Sequence, residues 1–167
     1  EVLAEMLTER TKVVSVCHIS NALGTIPDVR AIIRLAHNKG IPVVIDGAQG
    51  FSHEPVNVKE LDCDFYAFSA HKSYGPMGIG GLYGKKELLE KMPPYHFGGE
   101  MISQVTPEWT TFNELPFKFE AGTPSVADAV GFAAACDYIS TISMESIRQH
   151  GIIQPLLLTR AQGADRP

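Results

Sequence analysis

Three short apolar runs, each followed directly by polar residues, constrain the fold of this chain more than any other feature. The runs are rich in β-branched or aromatic residues and have the length of buried strands: KVVSVCH (Lys12–His18), IPVVID (Ile41–Asp46) and DFYAFS (Asp64–Ser69). VRAIIRLAHNKG, between the first two runs, has an amphipathic stripe and predicts a helix that Gly40 ends. Because no hairpin dipeptide joins the runs, the pattern predicts an α/β fold with a mostly parallel sheet flanked by helices.

The remainder of the chain predicts a fourth strand, an irregular segment and a last helix. GIGGLYG (Gly78–Gly84) is the fourth strand, and residues 93–125 are rich in Gly, Pro and aromatic residues with little periodicity. A segment of that kind is usually functional or packed against a partner. Residues 125–150 predict a helix that is interrupted near Thr141–Ser143. We expect residues 1–150 to form one domain and residues 151–167 to be an atypical tail, because Gly and Pro break the helix there.

Length and composition exclude several classes of function. The 167 residues, 44% of them hydrophobic, suit one domain with a buried core. A net charge of −5 without a dense basic run argues against a nucleic-acid partner. No apolar stretch approaches the roughly 20 residues of a membrane span, and no signal-like segment indicates secretion, so we expect a cytoplasmic protein.

The three cysteines predict neither a zinc site nor a disulfide framework. They are far apart, and no CxxC pair occurs among them. Free cysteines usually behave as small buried hydrophobic residues, so we expect Cys17, Cys63 and Cys136 to belong to the core. No metal site is predicted.

Polar residues at the ends of the predicted strands indicate a binding site. Ligands of open parallel sheets bind outside the carboxyl ends of the strands. The segments His18–Asn21, Asp46–Gln49 and Ser69–Lys72 all occupy that position in the predicted sheet. We therefore expect these three segments to meet at one edge.

Lys72 and Asp46 together are typical of a site for pyridoxal 5′-phosphate (PLP). A lysine amine whose pKa is lowered by burial or by nearby positive charge forms a Schiff base with a carbonyl group. A carboxylate at the end of a buried strand needs a partner, and the protonated nitrogen of the PLP ring is one. Taken singly, Lys72 could be an ordinary surface lysine and Asp46 could cap the next turn.

Five further residues could complete such a site. Asn21 and Gln49 carry amides that can donate to the phenolic oxygen of the ring. Ser69 and His71 flank the lysine and can donate to a phosphate group. Thr123 precedes the last helix, where it could contact a phosphate or simply cap the helix.

Five blocks of sequence resemble the aminotransferase class V family of PLP enzymes, whose large domain has fold type I. The resemblance covers about residues 10–150 and is closest to the group II (SufS-like) cysteine desulfurases, also called selenocysteine lyases. The blocks are ISNALGT, VVIDGAQG, LDCDFYAFSAHKSYGPMGIGGLYG, FGGEMI and FEAGTPS. The resemblance implies that the chain is a fragment of the PLP-binding large domain.

The resemblance also implies a role for each candidate residue. Lys72 matches the catalytic lysine that binds PLP and later moves protons, and Asp46 matches the partner of the pyridine nitrogen. The other matches are Asn21 and Gln49 near the phenolic oxygen, Ser69 and His71 at the phosphate, and Thr123 at the phosphate of a neighbouring subunit. The last match implies a homodimer.

The reaction that the resemblance implies takes sulfur from L-cysteine and leaves L-alanine. The sulfur becomes a persulfide on an enzyme cysteine and passes to an acceptor protein for iron–sulfur cluster assembly. The small domain of the family, with its catalytic cysteine and a carboxylate-binding arginine, has no counterpart in this chain, so we expect little or no activity from the chain alone. A non-catalytic protein that keeps the fold, or another class V enzyme such as a selenocysteine lyase, remains an alternative.

Overall fold

The strands and helices of this protein come from a computed structural model that describes residues 2–151. The helices of the described part are α1 (Val2–Met6), α2 (Val29–His37), α3 (Gly50–His53), α4 (Val58–Leu61), α5 (Lys86–Lys91) and α6 (Val126–Ile142). The strands are β1 (Val14–Cys17), β2 (Val43–Asp46), β3 (Phe65–Ser69), β4 (Gly80–Gly84), β5 (Ile102–Val105) and β6 (Thr110–Phe112). Two short 3₁₀ turns cover Ala70–Lys72 and Phe117–Phe119. The predicted strands and the helix after the first of them are thereby confirmed.

The main sheet has four strands in the order β1-β2-β3-β4. The first three are parallel, and β4 pairs antiparallel with β3, so the prediction of a mostly parallel α/β sheet is confirmed. The chain reverses direction in residues 70–79, where Gly78 has a φ of 92° that other residues rarely adopt. Gly81 of β4 lies directly against the ring of Phe68, and a methyl group there would overlap that ring.

The core lies between α2 and one face of the sheet. Ile33 and Ala36 of α2 are buried with Val43 and Ile45 of β2 and Tyr66 of β3. The helix begins where the Asp28 carboxylate accepts a hydrogen bond from the Ala31 amide, at 2.9 Å. It is followed, as predicted, by Gly40 with a φ of 67°.

A cluster of charged side chains lies at the amino-terminal edge of the sheet. It consists of His37, Asp62, Asp64 and Lys85, and it is called the amino-edge cluster below. Asp64 Oδ2 accepts a hydrogen bond from His37 Nε2 at 2.7 Å and another from the backbone N–H of Val43 at 2.7 Å. Lys85 Nζ lies 2.7 Å from Asp62 Oδ1 and 3.1 Å from Asp64 Oδ1. The cluster therefore ties α2, the start of β2, the start of β3 and the end of β4 together.

Two expectations from the sequence are wrong in part. Cys63 is fully buried, but Cys17 is exposed and Cys136 is only half-buried. Cys17 ends β1, the outer strand of the described sheet, so its side chain reaches the surface. The segment after Pro93 is also less irregular than expected, because β5 and β6 form an antiparallel hairpin whose turn is held by Thr106 Oγ1, which accepts from the Trp109 amide at 3.1 Å.

The last helix ends at Ile142, and Ser143 interrupts it with a φ of 73°, in agreement with the predicted break. Residues 144–151 are again helical, and beyond Gly151 the predicted atypical tail lies outside the described residues. In α6 apolar residues occupy all sides, and Val126, Val130 and Tyr138 stay exposed. Helices of this composition are normally covered on every side.

Two general properties of the described part bear on function. Every helix in residues 2–151 falls short of the length and apolarity that crossing a membrane requires. Over the same residues, no group of three or more His, Cys, Asp or Glu side chains is arranged to hold a metal ion.

Candidate active site

The three polar segments singled out in the sequence do start at one edge of the sheet. Cys17 of β1 pairs with Asp46 of β2, and Asp46 pairs with Ala67 of β3. The ladder continues past the strands, since the His18 amide donates to the Asp46 carbonyl and the Gly47 amide donates to the Ala67 carbonyl, both at 2.8 Å. The carboxyl ends of β1, β2 and β3 therefore form a common edge, which is called the carboxyl edge below.

Lys72 lies on a tightly fixed turn directly after β3. Ala70 and Ser73, on either side of it, are fully buried. The Ala70 carbonyl accepts from the amides of Ser73 and Gly75, at 2.8 and 2.9 Å. Tyr74 follows with a φ of 60°, a left-handed conformation that non-glycine residues rarely adopt and that marks a constrained backbone. The turn thus holds an exposed lysine on a backbone that has little freedom to move.

The Lys72 amine has no ion-pair partner among residues 2–151. Asp46, the last residue of β2, is also exposed. Asp46 Oδ1 accepts from the Ala48 amide at 3.0 Å, and Cys17 Sγ lies 3.8 Å from Oδ2. One oxygen of the carboxylate therefore fixes the turn after β2, and the other has only a weak thiol contact and can accept a stronger hydrogen bond.

The two amide candidates lie on turns that begin at the same edge. Gln49 immediately precedes α3 and is half-buried, and its backbone carbonyl accepts from Ser52 Oγ at 3.2 Å. Asn21 is exposed in the turn after β1. In that turn Ser20 Oγ accepts from the amides of Ala22 and Leu23, at 3.3 and 3.2 Å. The turns are fixed by other groups, so both amide side chains are available for a ligand.

Ser69 and His71 form a pair in front of Lys72, with 2.7 Å between Ser69 Oγ and His71 Nδ1. Thr123 is exposed on the other side of the irregular segment, between Gly122 and α6. It does not cap α6, because the residue at the cap position is Ser125. None of the described hydrogen bonds joins Thr123 to Lys72 or Asp46, whereas the Gly122 amide donates to the Gly99 carbonyl at 2.9 Å.

The patterns in the sequence did not predict a histidine–tyrosine pair beneath the carboxyl edge, in which the tyrosine is buried and the histidine half-buried. Tyr66 of β3 is 1% exposed, and its Oη lies 2.9 Å from His18 Nδ1. A methyl group on Gly47 would overlap the Tyr66 ring, and one on Gly50 would overlap the His18 ring. The glycines of the VVIDGAQG block therefore permit the turn after β2 to lie on this pair, and they were the sequence signal for it.

Burial determines the ionisation of the pair. Desolvation lowers the pKa of His18, with a smaller lowering by Arg30 and an opposing effect of Glu54. Desolvation also raises the pKa of Tyr66, and the Cys63 and Asp46 charges add to that rise. Both side chains are therefore neutral near neutral pH.

The groups at the carboxyl edge fit PLP in kind. The aldehyde of PLP needs an amine, its pyridine nitrogen needs a carboxylate, and its phosphate needs N–H and O–H donors. Lys72, Asp46 and the Ser69–His71 pair supply these groups from neighbouring strands of one sheet. In kind, these groups could hold a carbonyl compound and a cationic ring.

Comparison with known proteins agrees with this chemistry. The cysteine desulfurase of Haloferax volcanii is 51% identical over 146 residues, which is 87% of this chain and 34% of that protein. The crystal structure of the cysteine desulfurase CsdA from Escherichia coli has a TM-score of 0.90 and 43% identity, covering 99% of this chain and 41% of that one. A structure of C-DES with glycine covalently linked to PLP has a TM-score of 0.80 and 27% identity, covering 89% and 40%.

The chain spans about a third of the length of the curated relatives that it matches. The family model described as "Aminotransferase class-V" matches residues 1–156, which is nearly the whole sequence. The resemblance that the five sequence blocks indicated is confirmed at the level of the family and of the fold. This chain belongs to the aminotransferase class-V family.

Proposed function

We propose that this chain forms the PLP-binding part of a cysteine desulfurase of the group II (SufS-like) type. One observation carries the proposal: a fixed turn presents the Lys72 amine, without an ion-pair partner in residues 2–151, at the strand edge that also bears Asp46. Support for the substrate, L-cysteine, comes from the 51% identity to proteins named cysteine desulfurase.

The residues of the carboxyl edge divide the work between binding and proton transfer. PLP, when bound, supplies an electron sink for the carbanion that forms when the substrate loses its Cα proton. Lys72 Nζ would hold the cofactor covalently and would remove and return protons at the substrate carbon. Asp46 would accept the hydrogen bond of the ring nitrogen and keep that nitrogen protonated.

The polar residues around these two orient the cofactor. Asn21 and Gln49 donate their amide hydrogens to the phenolic oxygen of the ring. Ser69 and His71 donate to the phosphate, and such hydrogen bonds to a charged acceptor are about twice as strong as those between neutral groups. Thr123 donates to the phosphate of the neighbouring subunit. These roles explain why the side chains of Asn21 and Gln49 take no part in fixing their own turns.

In the proposed reaction the Cβ–S bond of L-cysteine breaks and the carbon skeleton leaves as L-alanine. The sulfur passes to a cysteine thiolate as a persulfide, and from there to an acceptor protein for iron–sulfur cluster assembly. The thiol that accepts the sulfur and the arginine that binds the substrate carboxylate belong to a small domain outside this sequence. None of the three cysteines here occupies the corresponding position of the family, so the chain alone is inactive or poorly active.

The proposal includes a homodimer in the cytoplasm. Support for a covering partner comes from α6, where Val126, Val130 and Tyr138 are exposed on a helix whose apolar residues are not confined to one face. Residues Gly98 and Gly122 pack against each other next to Thr123, with 3.3 Å between the position of a Cβ on Gly98 and the Gly122 nitrogen. This close approach fixes the segment from which Thr123 would reach a second subunit.

Borohydride reduction of the purified chain after incubation with PLP tests the cofactor site. We expect one covalently attached cofactor, located on the Lys72 peptide by mass spectrometry, and a visible absorbance band before reduction. The variant Lys72→Ala should lose both signals. Lys91→Ala is the matched control, since Lys91 is also exposed and lies at the end of α5, away from the carboxyl edge.

Asp46→Asn separates the ring contact from the covalent link. The amide cannot hold the ring nitrogen in its protonated form, so the cofactor should still reach Lys72 but bind more weakly. Attachment spread over several exposed lysines, or equal labelling of the wild-type chain and Lys72→Ala, would refute the proposed site. Release of alanine and sulfide from L-cysteine by the chain alone would instead refute its proposed inactivity.

A further inference from the structure

We propose that His18 and Tyr66 are positioning residues, which hold the turn bearing Asp46 and Gln49 in the orientation that PLP requires. The inference rests on the proposed function, because it assigns a role toward the same cofactor. In this role His18 and Tyr66 do not contact PLP themselves, but they determine the positions of the residues that do.

The pair lies directly under the turn after β2. Tyr66 pairs with Ile45 in the sheet, and His18 follows β1 on the other side of β2. The hydrogen bond of 2.9 Å between Tyr66 Oη and His18 Nδ1 therefore joins β1 to β3 across the end of β2. The two rings are nearly perpendicular, at 87°, with centroids 5.9 Å apart.

The turn after β2 packs directly on the rings of His18 and Tyr66. Gly47 contacts the Tyr66 ring and Gly50 contacts the His18 ring so closely that a Cβ at either position would overlap them. Between the two glycines lie Ala48, whose amide donates to Asp46 Oδ1 at 3.0 Å, and Gln49. A shift of either ring consequently moves the Asp46 carboxylate and the Gln49 side chain together.

Neutrality makes this support suitable for a site that binds a cation. Burial lowers the pKa of His18 and raises that of Tyr66, so one neutral hydrogen bond joins them. The charged groups that face His18 are Arg30 of α2 and Glu54 after α3, which act on its pKa in opposite directions. His18 and Tyr66 therefore place no positive charge beneath the Asp46 carboxylate, which remains available to the protonated ring nitrogen of PLP.

Packing alone does not account for the tyrosine. Phenylalanine would fill the same space, and the hydroxyl adds only the contact with His18. Tyr83 provides an internal comparison, since it pairs with Tyr66 across β3 and β4 and is half-buried, yet its hydroxyl makes no hydrogen bond in the described residues. Tyr66→Phe should thus alter the carboxyl edge, whereas Tyr83→Phe should not.

Amide hydrogen exchange of the 167-residue chain without PLP is the first test. We expect the Ala48 amide to exchange about tenfold faster in Tyr66→Phe and in His18→Leu, because the turn over the pair loosens when the hydrogen bond between the two side chains is lost. His18→Asn should restore slow exchange, since its amide can occupy the position of Nδ1. Equal Ala48 exchange in Tyr66→Phe and Tyr83→Phe would overturn the inference.

Cofactor binding is the second test. Absorbance titration should show the PLP dissociation constant of Tyr66→Phe raised about tenfold, with the pH midpoint of the visible band shifted, whereas Tyr83→Phe matches the wild-type chain. A role in stability alone would lower the urea midpoint and leave the pH midpoint of the band unchanged. If the wild-type chain binds no PLP at Lys72, the proposed function fails. If it binds and the two variants agree, only this inference fails.

Discussion

Replacing Asp64 with asparagine measures how much the amino-edge cluster stabilises the fold. The Asp64 side chain is 8% exposed and receives three contacts, from His37 Nε2 at 2.7 Å, the Val43 amide at 2.7 Å and Lys85 Nζ at 3.1 Å. Asparagine has the same size but a single acceptor oxygen and no charge. At least one contact is therefore lost, and an NH₂ group comes to face a cation.

The expected cost follows from these contacts. A hydrogen bond to a charged group contributes about 1.5–3 kcal/mol, and removing one partner of a buried ion pair costs about 3–5 kcal/mol. Because asparagine keeps part of the network, we expect Asp64→Asn to lower the free energy of unfolding by about 2–3 kcal/mol at pH 7.

The stabilisation by Asp64 should depend on pH. Burial by itself raises the pKa of Asp64, but hydrogen bonds from His37, the Val43 amide and Lys85 outweigh it, so the pKa lies below its ordinary value of 3.8. A carboxyl group of this kind stabilises the fold fully above its unfolded pKa and loses that contribution as the pH falls through its folded pKa. The difference between the wild-type chain and Asp64→Asn should thus be full at neutral pH and shrink below about pH 4.

Urea denaturation followed by circular dichroism at a series of pH values is the assay. Asp62→Asn is the matched control, because Asp62 contacts the same His37 and Lys85 but its side chain is 62% exposed. Its φ of 58° suits asparagine, and an exposed ion pair contributes at most about 1 kcal/mol. Two results would contradict this prediction: an equal loss of unfolding free energy in both variants, or a loss in Asp64→Asn that does not change with pH. Either would show that burial of Asp64 does not increase its contribution to stability.

Two other substitution or labelling experiments address the carboxyl edge and the core. Gly47→Ala should destabilise the chain by about 1–3 kcal/mol and weaken PLP binding, because the added methyl group overlaps the Tyr66 ring. Gly99→Ala is the control and should do neither, because the space around Gly99 is open. Urea midpoints and PLP titrations compare the two variants. Iodoacetamide should label Cys17 in the native chain long before Cys63, because Cys63 is fully buried and burial raises the pKa of its thiol to about 11. Mass spectrometry measures the two labelling rates, and equal rates would contradict this expectation.

The sequence was sufficient for the parallel strands because each apolar run ended in polar residues and a helix separated the first two. The same local pattern did not determine the exposure of Cys17, which depends on β1 being the outer strand of the described sheet. Nor did it find the β5–β6 hairpin, whose turn depends on a side-chain hydrogen bond of Thr106 rather than on an Asn-Gly or Asp-Gly pair.

Long-range contacts were harder still to predict. Tyr66 meets His18 across 48 residues, and Asp64 meets His37 across 27, and no periodicity in either strand encodes the partner. The sequence did contain a consequence of the contact between Tyr66 and His18. Glycines occupy positions 47 and 50, where the turn passes over the two rings. Glycines at the end of a buried strand are thus evidence of a close approach even when the partner is unknown.

The two edges of the sheet differ in how their charges are satisfied. At the amino edge every charged group of the cluster has a partner within 4 Å, so substitutions there should change stability without changing the site. At the carboxyl edge Lys72 lacks an ion-pair partner among the described residues and one Asp46 oxygen has only a thiol contact, although the backbone that carries them is fixed. Unpaired charges on a rigid backbone contribute little to stability, and a ligand that pairs with both gains the full interaction. In the proposed function that ligand is PLP, whose aldehyde would react with the Lys72 amine and whose protonated ring nitrogen would pair with Asp46.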